Sequence, residues 1–517
     1  MPCSLRQALI VPAQHFCSTS NLSGEIVKQK QFQENNDADQ PPPDKGNAAP
    51  IPDTRTLTKW ALEFVRPAVM TRGAPQKKAI RTAYLDGLRG FAAFLVYWQH
   101  HELWPLREVP ASRIMEMGWG YEGKYYFAAL PVFRTFFTGG HFAVAVFFVI
   151  SGYVLSVKPL ALIQAGEYSK LGENMGSALF RRWTRLHLPI IFITLAYLTS
   201  WHLFGLWTLS PVHKATFREE IWNWYIEFKN YSFVFRGGGE AWLTYNFPAW
   251  SIPVEFRGSI IVYTTLMAVS RATRNARLWV EVGLIYYFMY VVDGWFGAMF
   301  MGGVLLCDLD LLARNGDLPV LITKLERWKM PFYYSVFVVS LIFSGCPSHI
   351  IDMEILDNAP GWHYIGKLKP EAPWDQKWFF LFWAAMFLVA GIPRIWWLKA
   401  FFESSFNQYL GRISFSLYLV HGPILWTLGD RLYCAVGWYK EAHEEFIPDW
   451  VNKFPLSHSG PLGLEPAFLV PHLILLPLTL WAAEIVMKIC DEPSARFAAW
   501  AYSLTLPPPA PVMELHG

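Results

Sequence analysis

Charge is what this sequence has least of. Asp, Glu, Lys and Arg make up only 16% of its 517 residues, against about 25% in soluble globular domains. That deficit argues against an ordinary cytosolic enzyme. The 6 cysteines are too few for a disulfide framework, and the 36 glycines too few for a collagen-like repeat. A net charge of +3 offers no basic excess for nucleic acid. There is no Walker A loop, GxSxG elbow or CxxC pair, so the soluble scaffolds those motifs mark lose support. Gly118–Gly123 satisfies GxGxxG but follows no strand, which makes it a chance match. His100-His101-Glu102 is not HExxH, and adjacent histidines do not face one metal on a helix. No metal site is expected.

Apolar and aromatic residues are what the chain has in excess. Hydrophobic residues reach 53%, and 25 Trp, 23 Tyr and 39 Phe bring aromatics to 17%. Many of these rings sit at the ends of apolar runs, where amphipathic side chains favour a membrane–water interface. From residue 83 onward the runs are about 17–25 residues long, enough to cross a hydrocarbon core of roughly 30 Å. The expected fold is therefore all-α: a polytopic integral membrane helix bundle of about ten transmembrane helices. Their approximate spans are 83–101, 141–157, 186–206, 250–270, 278–292, 294–311, 331–345, 377–397, 408–428 and 466–490. The pair at 278–311 is the weakest division, since only Asp293 and Gly294 separate its halves.

Basic clusters orient the bundle. Arg72, Lys77, Lys78 and Arg81 precede the first span; Arg181, Arg182 and Arg185 the third; Lys324, Arg327 and Lys329 the seventh; Arg271, Arg274 and Arg277 follow the fourth. With ten spans all fall on one side, which the positive-inside rule makes cytoplasmic, together with both termini. Residues 1–78 read as a disordered polar tail, 79–495 as the membrane domain and 496–517 as a short C-terminal tail. Near the end of the first tail, Leu57, Trp60, Ala61, Phe64 and Val65 recur at helical spacing, as in an interfacial helix. The apolar stretch Ala8–Ala13 is short and broken by Pro12, so no cleaved signal peptide is expected. The endoplasmic reticulum and the plasma membrane both fit. Cys346 and Cys434 fall in outer loops, as a disulfide or as two free thiols.

The chemistry-bearing residues sit on the spans. Eleven steps from Arg89 to His100 turn a helix about 20° past three full turns and rise about 16 Å, so both share one face. Asp86 lies one turn below Arg89 and can neutralise it, whereas an unpaired charge at membrane depth costs roughly 2.5 kcal/mol or more. The bland alternative has Asp86 and Arg89 snorkelling and His100 among headgroups. Gly140, Ala143, Ser151 and Gly152 on the second span are small enough for close helix packing. Arg181, Arg182 and Arg185 mark topology or form a phosphate clamp. Ser251 and Glu255 are four apart and face the same way near the outer end, at a depth similar to His100. Glu255 is a functional candidate or has a structural partner. Ser414, Tyr418 and His421 share a helical stripe, which lines a cavity or an interhelical contact.

Taken in order, YLDGLRGFAAFLVYWQHH, AVAVFFVISGYVLS, RRWTRLHLP, WSIPVEF and GRISFSLYLVH resemble the membrane acyltransferase-3 family of acyl-CoA-dependent O-acyltransferases, over residues 80 to 490. The resemblance implies that Arg89 and His100 are the family's paired Arg and His, Glu255 its acidic residue after the WS motif, and His421 its late histidine. This chain departs from simpler members in its long N-terminal tail and its extended loops 346–376 and 429–465, and no fused soluble catalytic domain is expected. The co-substrate would be acyl-CoA, with acetyl-CoA favoured, and no cofactor would be permanently bound. Its anionic nucleotide would lie at the inner face against Arg181, Arg182, Arg185 and Arg89. His100 would act as general base or transient acyl acceptor, with Glu255 holding its tautomer. Ser251, Ser414, Tyr418 and His421 would line the cavity for a small hydroxyl-bearing metabolite or glycan. Beyond membrane lipid, acyl-CoA and this acceptor, no partner is implied. The competing readings are a proton-coupled transporter, for which no internal repeat is found, and a non-catalytic membrane protein whose charges only pair with one another.

Asn230-Tyr231-Ser232 is a glycosylation sequon in an outer loop of this topology. Expression in a glycosylating host is expected to give a glycosidase-sensitive mobility shift that Asn230→Gln abolishes. Labelling of position 230 only from the cytosolic side would overturn the span count.

Overall fold

A computed structural model describes residue 66 and residues 81–106, 120–121, 124–125, 127–130, 132–236, 242–324, 326–347, 361–459 and 465–507. The chain divides into two units, Met1–Phe64 and Val65–Gly517, and every described residue lies in the second. The expected interfacial helix at 57–65, almost all of the polar tail and most of the GxGxxG match lie outside the described residues.

Apart from a two-residue hairpin pairing Gly120–Tyr121 with Lys124–Tyr125, the regular structure described is helical. The principal helices are α1 (Ala83–Leu106), α2 (Gly140–Gln164), α3 (Tyr168–Phe204), α4 (Phe217–Tyr231), α5 (Ser251–Ala268), α6 (Arg274–Tyr286), α7 (Trp295–Arg314), α8 (Lys329–Phe343), α9 (Lys377–Gly391), α10 (Ser405–Ile424), α11 (His472–Val486) and α12 (Glu492–Ser503). Each of the ten apolar runs is largely helical, the eighth broken between Gly391 and Trp396, and α4 is an additional helix between the third and fourth. A Thr216–Glu219 capping box starts α4, and Gly205, at φ +61°, ends α3. The helix α12 carries the chain through residue 495, so the expected C-terminal tail begins inside a helix.

Among the described residues, four helical stretches are long and apolar enough to cross a membrane: Gly140–Gln164, Tyr168–Phe204, Trp295–Arg314 and Pro466–Ser503. A fifth is reached if Lys377–Gly391 and Trp396–Phe402, bent by 100°, count as one. The remaining runs fall short for physical reasons. α1 carries Asp86, Arg89 and Glu102, and α5 carries Glu255 and Arg257. α6 and α8 are 13 and 15 residues long. The weak division at 278–311 is real, because α6 runs into a π turn at Tyr287–Val291 and α7 starts afresh at Trp295. Cys346 and Cys434 are both free thiols, so no disulfide joins them. Their neighbours differ: Arg134, Lys377 and Asp375 surround the first, Asp430 and Arg431 the second.

Contacts fix the relative directions of the helices. Gln99 near the end of α1 meets Gly140 at the start of α2, so these two are antiparallel. The same holds for α3 and α5, α6 and α7, and α8 and α9, through Arg182–Ser259 with His187–Phe256, Arg277–Asp308 with Phe288–Gly294, and Ser340–Ala384 with Phe343–Phe380. Helices an even number of runs apart are parallel: α2 with α7, through Phe148–Trp295 and Tyr153–Asp310, and α1 with α10. Glycine allows the last pair its close approach. A Cβ on Gly90 would stand 2.2 Å from the Gly411 nitrogen, and one on Gly411 2.3 Å from the Asp86 oxygen. The Gly152 position on α2 is as tight, 2.0 Å from the Phe300 oxygen, in keeping with the small-residue stripe read there.

Gly90→Val is expected to separate α1 from α10, lowering thermal stability in detergent and abolishing acyl transfer. Gly172→Val, at a position with nothing within 4 Å, is the control and should change neither. Equal behaviour of the two variants would show that the glycine contact does not hold the pair.

Candidate active site

The parallel pairing of α1 and α10 sets the site. Gly90 touches Gly411, and a further ten residues along each helix, about 15 Å of rise, stand His100 and His421. The two rings meet with centroids 5.0 Å apart, and His421 Nε2 lies 3.1 Å from His100 Nδ1. His421 is buried and His100 half-buried.

Backbone carbonyls decide the tautomers. His100 Nδ1 lies 2.9 Å from the Val96 oxygen, and His421 Nδ1 3.2 Å from the Leu417 oxygen. A carbonyl only accepts, so each Nδ1 carries the hydrogen. His421 Nε2 is then a lone pair sharing the His100 Nδ1 proton, and His100 Nε2 is left as a lone-pair nitrogen.

Beside the pair, Tyr418 stacks obliquely on His421 with centroids 5.9 Å apart. Its hydroxyl donates to the Pro248 oxygen and accepts from Ser251 Oγ at 2.7 Å. Ser251, Tyr418 and His421 therefore meet as the sequence suggested, with the first two satisfying each other. Ser414 is engaged elsewhere. It accepts from Arg89 Nε at 3.1 Å and donates to the Gly411 oxygen at 2.9 Å. Arg89 also donates to the Gly411 oxygen and pairs with Asp86 at 3.1 Å. Arg89 thus locks α1 to α10 near their starts, three helical turns from His100.

Glu255 departs from the expected role. Its carboxylate is paired with Arg182, and Ser151 hydrogen-bonds to it, while Arg182 Nε reaches Ser259 Oγ at 2.9 Å. The orienting groups on His100 are Val96 and His421 instead. The cause is one turn of helix: Ser251 meets Tyr418, and Glu255 lies about 6 Å further along α5, level with Arg182. The arginines are not a loop cluster either. They project from the 37-residue α3, about 56 Å long, with its first part beyond the expected span. Arg89, Arg181, Arg182 and Asp491 all lie within electrostatic range of Arg185, so α1, α3 and the π turn Met487–Asp491 after α11 converge on one cationic cluster. Tyr263 on α5 also faces Arg181, Arg182 and Arg185.

Two groups of polar residues were not read from the sequence. On the other face of α1, His101 Nδ1 meets the Tyr433 hydroxyl at 2.9 Å, and that hydroxyl meets His472 Nε2 at 3.2 Å. His472 Nδ1 in turn meets the Tyr97 hydroxyl at 2.9 Å. The 100° offset of His101 from His100 was the available signal. The other is Asn246, fully buried beside α10 in the turn Thr244–Trp250. Pro423 inside α10 signalled it, because a proline leaves the carbonyl four residues earlier without its helical donor. Among the described residues no cluster of His, Cys, Asp and Glu could hold a metal ion.

Residues 82–451 match the acyltransferase domain of the acyltransferase-3 family. The chain belongs to that family. It is an acyltransferase, and the apolar helices make it a membrane protein. Relatives include the O-acetyltransferase PaAT-1 of Phomopsis amygdali, 28% identical across 86% of this chain and 89% of the relative. Acyltransferase R4 of a Phoma species is 22% identical, covering 82% and 96% of the two chains. Acyltransferase clz18 of Cochliobolus lunatus is 23% identical, covering 81% and 95%. No solved structure matches the chain. Membership of an acyltransferase family sets aside the transporter and the purely structural readings.

The Arg182–Glu255 pair is largely buried, at 15% and 14% side-chain exposure. Removing one partner of such a pair costs about 3–5 kcal/mol, whereas removing both is close to neutral. Arg182→Met and Glu255→Gln are each expected to lower the unfolding temperature, and the double variant to regain most of the loss. Additive losses would show that the two side chains are not coupled.

Proposed function

We propose that this acyltransferase moves an acetyl group from acetyl-CoA to a hydroxyl of a small metabolite or glycan, with His100 Nε2 as the general base. The observation that carries this reading is the His100–His421 pair, whose two Nδ1 hydrogens are held by backbone carbonyls. The acceptor hydroxyl gives its proton to His100 Nε2 as its oxygen attacks the thioester carbonyl. The C–S bond breaks, and the proton passes to the CoA thiolate. His421, sharing the Nδ1 proton of His100, steadies the imidazolium position that forms. Transient acylation of the same nitrogen is the other use of this geometry.

The donor enters from the side of the convergent arginines. Arg181, Arg182, Arg185 and Arg89 bind its phosphates, and the rise of about 16 Å from Arg89 to His100 is comparable to an extended pantetheine arm. Ser251, Tyr418 and His421 bound the acceptor's side, and Ser414 holds Arg89. Ten crossings place both termini in the cytoplasm, in the endoplasmic reticulum or plasma membrane. The alternating helix directions, the basic residues around the starts of α1 and α8 and the arginines in the first half of α3 support that topology. Acetyl as the acyl group rests on the name of the Phomopsis relative.

The test is release of free CoA from acetyl-CoA by the purified full-length protein, with and without a hydroxyl-metabolite extract. Acceptor-stimulated release is expected, reduced at least about 100-fold in His100→Ala, with an acetylated product seen by mass spectrometry. Release that His100→Ala leaves unchanged would overturn the assignment of the base.

A further inference from the structure

A cavity opens on the side of α1 and α2 away from the arginine cluster. It holds about 550 Å³ of empty space, counted out to its open mouth, between α1, α2, α7, α8 and the end of α9. Tyr84, Tyr153, Asp310 and Arg394 form its polar lining, and Leu306, Leu309, Leu318, Val389 and Ala390 stand among its apolar walls. Tyr84 precedes Arg89 by five residues and Tyr153 follows Ser151 by two, so the members of each pair lie about 140° and about 160° apart around their helices. Arg89 belongs to the arginine cluster and Ser151 bonds to Glu255, so the cavity and the cluster stand back to back. Tyr84 is also about 24 Å along α1 from His100, which separates the cavity from the paired histidines.

Asp310 organises the polar lining. It accepts from the Tyr153 hydroxyl at 2.8 Å and from Arg394 Nη2 at 3.0 Å, and Arg314 stands 3.8 Å away. Two guanidinium groups share one carboxylate, which leaves one positive charge over. Among the described residues Arg394 makes no other side-chain hydrogen bond and Arg314 makes none. Side-chain exposures of 31% and 29% leave both within reach of a ligand. The residues at the mouth are apolar and exposed: Leu321 and Ile322 follow Leu318, and Trp396 comes two residues after Arg394. Exposed apolar side chains with a tryptophan beside a cation are the lining of a lipid-facing site, where the ring sits at headgroup level.

We infer that this cavity binds a singly charged anionic amphiphile, with its headgroup on Arg394 and Arg314 and its alkyl chain along Leu306, Leu309 and Val389. A phospholipid with an anionic phosphodiester head and a free fatty acid share that chemistry. Phosphatidylcholine carries the same phosphate together with a cation, which the surplus arginine charge repels. Occupancy has a structural consequence, because Arg394 lies in the bend between Gly391 and Trp396. The helix Trp396–Phe402 beyond the bend packs on α1: the Phe402 oxygen abuts Gly87, and Phe401 and Phe402 stand edge-on to Phe91. A headgroup held by Arg394 therefore steadies the segment that buttresses α1 where it meets α10.

The probes are dioleoylphosphatidylglycerol, oleate and dioleoylphosphatidylcholine, each added in detergent to the delipidated full-length protein. Bound ligand is counted by native mass spectrometry and the unfolding temperature is measured alongside. One phosphatidylglycerol or oleate per chain is expected to bind at least about tenfold tighter than phosphatidylcholine, since hydrogen bonds to a charged group are at stake, and to raise the unfolding temperature. The tighter of the two identifies the source of the headgroup. Arg394→Gln removes the charge and should abolish the preference for an anionic ligand. Ala390→Phe fills the apolar wall while keeping both arginines, and should weaken the anionic ligands by a similar factor. Equal binding of all three probes by wild type overturns the inference whatever the variants do. So does a preference that survives both substitutions, which would make the attraction one of exposed basic residues alone. The readouts do not involve acyl transfer, so failure here leaves the proposed function standing.

Discussion

The contact on which the site depends is the close parallel approach of α1 and α10. Gly90 and Gly411 let two backbones come together where any side chain would collide. Arg89 fastens the same level by reaching across to Ser414 and the Gly411 oxygen. From there equal chain lengths do the positioning: ten residues of helix on each side end at a histidine. A helix is stiff over such a distance, so a contact made near the helix starts fixes geometry about 15 Å away. No loop is needed to bring the two rings together.

Backbone geometry also explains why the histidines need no carboxylate. A histidine in a helix can turn its Nδ1 onto the carbonyl four residues back, as His100, His421 and His187 all do. The tautomer then follows from secondary structure alone, and Nε2 is the nitrogen left without the hydrogen, which in His421 meets His100 Nδ1. In a soluble triad a third side chain has that task. The sequence suggested Glu255 for it, because Glu255 and His100 were both placed toward the outer end. Residue spacing determines which face of a helix a side chain occupies, but not how far one helix slides along another. A slide of one turn was enough to take Glu255 to Arg182.

The fold was legible where apolar length carries the signal. All ten runs are largely helical, although only four or five of the described stretches are long and apolar enough to cross a membrane, and the Asp86–Arg89 pair and the small-residue stripe of α2 formed as spacing implied. Less legible were breaks that arise from packing: π turns after α6, α10 and α11, and the 100° bend beyond α9. The arginines of α3 were taken for a span-end cluster because charge within a membrane helix is costly unless neutralised. Their neutralising partners come from α5 and the π turn after α11, far away in sequence. Asn246 was hidden for the same reason, since its partner is the Leu419 oxygen 173 residues on.

In the function proposed above, the arginine cluster would be where an anionic donor is received. Arg89, Arg181, Arg182 and Arg185 bring four positive charges, and Asp86, Glu255 and Asp491 bring three negative ones. With a balance of one positive charge, the cluster is nearly neutral when empty, which lowers the cost of holding it at the edge of the membrane. The carboxylates also hold guanidinium groups in place before any phosphate arrives, so less side-chain freedom is lost on binding. Arg182 is the most constrained of the four, pinned by Glu255 and Ser259 and largely buried. Among the described residues Arg181 donates only to the Ser177 oxygen of its own helix, and Arg185 lies exposed. The cluster thus combines one arginine fixed by a carboxylate with two more loosely held on the same helix. In the function proposed above, such a pairing would suit a ligand whose phosphates stay at the cluster while its thioester reaches along α1 to the histidines.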